Sequence, residues 1–149
     1  MSFEIERKFL VRGSFREFAE GSVSVVQVYL STDPYRIVRV RKMGERAFIT
    51  IKSGTSDSIV SRQEWEFEIP PENADELIRI SLPGRINKTR YYVPYGKHKW
   101  EVDVFHDRNE GLIIAEIELD SVDEEFKKPD WVGEEVTGNP AYYNVNLIK

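Results

Sequence analysis

Residues 3–11 read FEIERKFLV, and whether this run is a strand decides how the rest of the chain is read. In an extended strand successive side chains alternate between faces, so Glu4, Glu6 and Lys8 share one side. Two carboxylates one strand repeat apart repel unless a cation sits between or beside them. Divalent metals that prefer oxygen ligands fit that role. Lys8 then carries a positive charge within reach of whatever such a metal holds. An exposed strand with a solvated charged face gives the same alternation, so this segment alone leaves both readings open.

Working outward, period-two segments rich in Val, Ile, Phe, Tyr and Trp recur near 24–32, 36–43, 46–53, 60–69, 86–95, 98–106 and 113–120. Turn signals separate most of them, among them Asp33-Pro34, Gly44, Gly54, Pro70-Pro71, Pro83-Gly84 and Pro94-Tyr95-Gly96. A proline start, early acids and Ala74, Leu77 and Ile78 predict a helix over 71–81. Ser14 is placed to cap a turn through Glu20, and the tail after Pro129 predicts a helix over 130–136 and another after Pro140. Eight strands joined mainly by short turns predict a mainly β (α+β) fold. The expected form is an eight-stranded antiparallel barrel, closed or nearly so, with short helices packed outside. At 149 residues the chain is expected to form a single domain, 1–149, with its own core.

Parity along each strand adds a charge pattern. Arg39 and Arg41 oppose Val38 and Val40, and Thr50 and Lys52 oppose Ile49 and Ile51. Arg62, Glu64, Glu66 and Glu68 oppose Trp65, Phe67 and Ile69, while Lys88 and Arg90 oppose Thr89, Tyr91 and Val93. Lys99, Glu101 and Asp103 oppose Trp100, Val102 and Val104, and Glu116, Glu118 and Asp120 oppose Ala115, Ile117 and Leu119. Two arrangements satisfy this pattern. One buries the apolar face inside and leaves the charges in water; the other lines the lumen with charge and covers the apolar face with helices and tail. The charged face is almost purely ionic, in blocks of one sign that would repel within a strand. Such blocks are accommodated if opposite blocks meet across a lumen or a metal and a polyanion sit between them. We therefore favour the charged lumen.

Composition bounds the chemistry. The chain has no cysteine and only His98 and His106, so any metal is expected on oxygen ligands. A net charge of −5 disfavours broad nucleic-acid binding, which needs a basic surface. No apolar run of about 18 residues suggests a membrane span, and a polar start is unlike a secretory signal; a cytoplasmic protein is the expectation. Arg and Lys converging on one volume suit a chain of phosphates, and paired acids suit Mg²⁺ or Mn²⁺ bridging phosphate oxygens. No Gly-rich phosphate loop is present. Tyr29 shares a face with Gln27 and points inward, either to orient a water or to make a structural hydrogen bond.

With these segments in view, the chain resembles a CYTH-domain protein of the triphosphate tunnel metalloenzyme superfamily. The signature is ExExK at Glu4, Glu6 and Lys8, joined by VRVRKMGERAFITIKSG (38–54), RQEWEFEIP (62–70), INKTRYYV (86–93), WEVDVF (100–105) and AEIELD (115–120). The resemblance implies an eight-stranded antiparallel tunnel binding a triphosphate with divalent metal. By position, Glu4, Glu6, Glu116 and Glu118 resemble metal-site acids, with Glu64 and Glu66 as contributors. Lys8, Arg39, Arg41, Lys52, Lys88 and Arg90 resemble the triphosphate-binding set, and Lys8 and Tyr29 are the candidates for a catalytic part. The implied activity is metal-dependent hydrolysis of tripolyphosphate or a nucleoside or organic triphosphate, with release of orthophosphate. The alternatives are a class IV-type adenylyl cyclase and a noncatalytic polyphosphate- or nucleotide-binding module. A small-molecule triphosphate or polyphosphate is the expected partner, and a homodimer remains open.

Overall fold

The computed structural model describes residues 2–54 and 61–148, with the side chains of Ser2, Glu4 and Ser61 outside the described set. Its strands are β1 (Ser2–Val11), β2 (Gly21–Ser31), β3 (Ile37–Met43), β4 (Arg46–Lys52), β5 (Ser61–Ile69), β6 (Ile86–Tyr95), β7 (His98–Phe105), β8 (Ile113–Glu118) and β9 (Val132–Glu135). The first eight are the segments that alternation predicts. Antiparallel neighbours run β5-β4-β3-β2-β6-β7-β8-β1, and β1 pairs in turn with β5. The chain of pairings thus returns on itself and encloses a tunnel. β1 closes it with both edges: Ser2–Ile5 pair with β5, and Glu6–Leu10 pair with β8.

The apolar face lies outside the lumen, the arrangement favoured from the charge pattern, and separate covers shield parts of it. Trp100, fully buried, packs edge-on against Phe9, Trp131 and Phe126 at ring-centroid distances of 5.5, 5.8 and 5.9 Å. The segment carrying Phe126 and Trp131 is the cover there. On the opposite wall α1 (Pro71–Arg79) sets Ala74, Leu77 and Ile78 over Val28, Val40 and Ala47. Pro71 starts this helix at a position where its missing N–H costs nothing. Trp65 is only half-buried and Phe67 and Phe3 are exposed, so the cover is incomplete over the outer face of β5 and β1.

Three expectations fail locally. Residues 130–136 hold β9, which pairs with β1 at Phe9 and Val11, rather than a helix. The free edge of β1 beyond its β5 pairing offers unpaired backbone groups, and that tertiary demand outweighs local propensity. After Ser14 the chain makes one 3-10 turn at Arg16–Phe18 with no side-chain cap. The tail beyond Pro140 likewise forms two 3-10 turns, Pro140–Tyr142 and Asn144–Asn146, rather than a helix.

The tail also explains why the lumen face is not charged along its whole length. Tyr29, Ile37, Ile86, Phe105 and Ile114 continue the lumen rows as apolar residues and form a cluster with Ile148. Gly84, with φ +92°, lets the chain approach: a Cβ there would lie 1.9 Å from the Ile148 carbonyl oxygen. Among the described residues no helix is long and apolar enough to cross a membrane.

Candidate active site

The six cations expected from the sequence reach the lumen from four strands. Lys8 comes from β1, Arg39 and Arg41 from β3, Lys52 from β4, and Lys88 and Arg90 from β6. All but the half-buried Arg41 are buried. Each cation has an acidic neighbour, at graded distances. Asp103 grips most closely: its oxygens accept from Arg90 Nε and Nη2 at 2.8 and 2.9 Å, and Lys88 Nζ lies 2.8 Å away. The other pairs are looser. Lys8–Glu116 is 3.6 Å, Arg39–Glu66 3.6 Å, Arg41–Glu66 3.7 Å, Lys52–Glu64 3.8 Å and Arg90–Glu101 3.5 Å. Glu66 also accepts from the Thr50 hydroxyl at 2.8 Å. Glu64 and Glu66, read from sequence as contributors to a metal site, thus stand beside the cations of β3 and β4.

These surroundings decide which groups carry charge. Burial pulls the Lys8 ammonium down, but the carboxylates of Glu116 and Glu6 outweigh it and its pKa is raised, so it is a firm cation. Burial and the like charges of Arg39 and Arg90 push Arg41 down to about 10. Lys88 is lowered to about 8, chiefly by burial, with Asp103 opposing that and Arg90 adding to it. Burial pushes Glu101 above the usual carboxylate range, and Glu116 and Asp103 push it further. Tyr29, buried, accepts a hydrogen bond from Gln27 Nε2 at 2.7 Å. Burial raises its phenol pKa, so it is a hydrogen-bond donor rather than a base.

The acids of β1 and β8 form a second zone. Glu6 stands directly opposite Glu118, and Lys8 opposite Glu116. Like charges opposed across a strand pair are unfavourable, and a divalent cation relieves them. The donors suit a hard cation: the chain has no cysteine, His98 bonds Glu124 and His106 bonds Thr89. The carboxylate chemistry of this zone therefore fits Mg²⁺ or Mn²⁺. No group of three donors is already gathered into a metal-holding cluster among the described residues. Glu4, the other acid of the signature, lies outside the described side chains.

A cavity of about 310 Å³ opens beside the cations. Glu6, Lys8, Arg39, Lys52 and Arg62 line its charged side, and residues of the tail, Pro140 and 143–146, line the other. Lys8 Nζ reaches the Tyr142 carbonyl oxygen at 3.4 Å. Asp103, Gln27 and the tail are the parts that sequence reasoning leaves unassigned. Parity puts Asp103 and Gln27 on the lumen face without distinguishing them from their neighbours. The tail has no periodicity that would aim it at the lumen.

Comparison with known proteins adds three relatives and a family. The model described as the CYTH domain matches residues 2–148. An inorganic triphosphatase of Acetivibrio thermocellus is 46% identical over 151 residues, covering 100% of this chain and 95% of that protein. An inorganic triphosphatase of Nitrosomonas europaea is 38% identical over 149 residues, covering 97% of this chain and 95% of that protein. A crystal structure of an inorganic triphosphatase superposes with a TM-score of 0.67 at 35% identity, covering 99% of this chain and 95% of that one.

Proposed function

The chain belongs to the CYTH domain family, and from that premise we propose that it is a metal-dependent triphosphatase whose substrate is inorganic tripolyphosphate. The observation that carries the reading is the convergence of lumen cations, of which Arg39 Nε and Arg41 Nε are buried donors without a hydrogen-bond partner among the described residues. Buried donors of this kind have a large desolvation cost until an acceptor arrives, and phosphate oxygens supply acceptors with charge. The two inorganic triphosphatases described above, alike over nearly their whole length, point the same way.

Arg39, Arg41, Lys52, Lys88 and Arg90 bind and align the phosphate chain, the arginines through forked donors and the lysines as point charges. Lys8, held as a cation by Glu116 and Glu6, steadies charge on the terminal phosphoryl group. Tyr29 offers its O–H to a phosphate oxygen. Glu6, Glu118 and Glu116, with Glu4, would hold Mg²⁺ or Mn²⁺, whose contribution is neutralisation of charge on the phosphate oxygens and polarisation of the reacting group. Water displaces diphosphate from the terminal phosphorus, and orthophosphate is released.

The test is orthophosphate release from tripolyphosphate with Mg²⁺ and with EDTA. Turnover with the metal and none in EDTA is expected; tight binding without turnover would instead mark a binding module. With ATP, orthophosphate is the expected product, whereas pyrophosphate and cyclic AMP would identify a cyclase.

A further inference from the structure

Gln27 is a polar side chain of the lumen face that neither phosphate binding nor charge balance accounts for. It is fully buried. Its Nε2 donates to Tyr29 Oη at 2.7 Å, while its Oε1 has no hydrogen-bond partner among the described residues. An amide withdrawn from water with its acceptor unused costs stability, and an apolar side chain of similar size would fill the same space without that cost. Packing alone therefore gives no reason for a glutamine here.

The backbone shows what its one hydrogen bond acts on. Gln27 is the last residue of β2 paired on both sides, opposite Arg41 on β3 and Ile86 on β6. Tyr29 follows two residues later on the same face. It lies past the end of the β6 pairing and just before the register with β3 slips. Its ring packs among Ile37, Ile86 and Phe105, contacts that leave the hydroxyl hydrogen free to rotate. Because Gln27 Nε2 is a donor, the phenol proton must point away from it. Among the described residues nothing accepts that proton. The cations Arg39, Lys8 and Arg62 act on the phenol, and none of them is an acceptor. Tyr29 borders the same cavity as Lys8 and Arg39, so the proton is kept for an acceptor that a ligand brings.

We propose that Gln27 is a positioning residue, anchored where β2 is paired on both sides, that turns the Tyr29 hydroxyl so that its proton meets an oxygen of the phosphoryl group steadied by Lys8. Without the amide the hydroxyl rotates freely, and part of the time its proton points where no phosphate oxygen stands. The loss then falls on the rate rather than on binding, since the phosphate chain is held chiefly by the arginines and lysines. The inference rests on the lumen being a triphosphate site with Tyr29 as a donor, as proposed above.

The experiment is steady-state hydrolysis of tripolyphosphate with Mg²⁺ by Gln27→Leu, by Tyr29→Phe and by the protein carrying both changes. Gln27→Leu is expected to lower kcat about tenfold, the rate equivalent of one hydrogen bond, with KM within about twofold of that of the unaltered protein. In the Tyr29→Phe background the same change should leave kcat where Tyr29→Phe alone puts it, because no phenol proton remains to be aimed. A packing role predicts the same loss in both backgrounds, and that result overturns the inference. So does full kcat in either single variant. Gln27→Glu keeps the shape but accepts the phenol proton instead of donating, and it serves where leucine disturbs folding: its kcat should fall at least as far as that of Tyr29→Phe, and full kcat overturns the inference there too. Failure of the unaltered protein to hydrolyse tripolyphosphate would remove the triphosphatase reading and this role with it, an outcome distinct from the others.

Discussion

Lys88 provides the sharpest test of the lumen's electrostatics. Its ammonium is buried beside Asp103 and Arg90, with the Phe105 ring 5.4 Å away and Glu116 contributing attraction from β8. With its pKa lowered to about 8, the group is protonated in only about a tenth of molecules at pH 9. A polyanion that needs this cation must restore the proton on binding. Affinity for tripolyphosphate should then fall roughly tenfold per pH unit above 8, or about 1.4 kcal/mol per unit, until the pKa of the complex is reached. In the ligand-free protein the sign is opposite: the folded-state pKa lies below the ordinary 10.5, so the unfolded chain binds more protons between pH 8 and 10.5. This group's contribution therefore lets stability rise through that window, and its penalty is fully present below pH 8. The assay is calorimetric binding of tripolyphosphate in EDTA from pH 7 to 10, in parallel on the unaltered protein and Lys88→Arg, whose charge does not titrate in this range. The ligand's own protonation cancels in the ratio of the two affinities. A ratio that stays constant from pH 7 to 10 would refute the argument.

Other outcomes follow from the same contacts. Glu118→Gln, which removes one of the two opposed carboxylates, should raise the Mg²⁺ concentration for half-maximal activity by about tenfold or more, read from a metal titration of tripolyphosphate turnover. Lys8→Ala should lower kcat more than it raises KM in steady-state assays, the pattern of an interaction made mainly in the transition state. Asp103→Asn should destabilise the protein by about 3 kcal/mol in urea unfolding, because Lys88 and Arg90 lose their buried counter-charge, and should raise KM as Arg90 loses its fixed orientation. Tripolyphosphate at a hundredfold its dissociation constant should stabilise the unaltered protein by about 2.7 kcal/mol, seen as a rise in melting temperature.

The barrel and its charged interior are legible in the sequence because strand parity is a local property. Arg39 and Arg41 stand two residues apart, and so do Lys88 and Arg90; once the strands are placed, their shared face follows without knowledge of their partners. Register and partner choice are long-range properties. That Glu6 meets Glu118, and that Asp103 rather than Glu101 grips Arg90, depends on how β1 meets β8 and β7 meets β6. The tail is least legible. Residues 132–135 join the sheet because β1 offers them an edge, and 140–148 settle against apolar lumen rows that no local pattern in the tail identifies.

The grading of the ion pairs separates the parts of the lumen by purpose. A polyanion entering the tunnel competes with the carboxylates already facing the cations, and the ease of that exchange depends on how closely each pair is made. Glu66, Glu101 and Glu116 stand 3.5–3.7 Å from the cations they face, beyond ordinary hydrogen-bond length. Exchange there sacrifices little, and phosphate oxygens can take up the Nε donors of Arg39 and Arg41. Asp103 is different: three contacts of 2.8–2.9 Å to two buried cations make it a fixed part of the wall. Removing either partner of such a pair leaves an uncompensated buried charge. The loosely paired acids thus offset the cations of the ligand-free lumen while remaining displaceable, and Asp103 holds Arg90 and Lys88 in position.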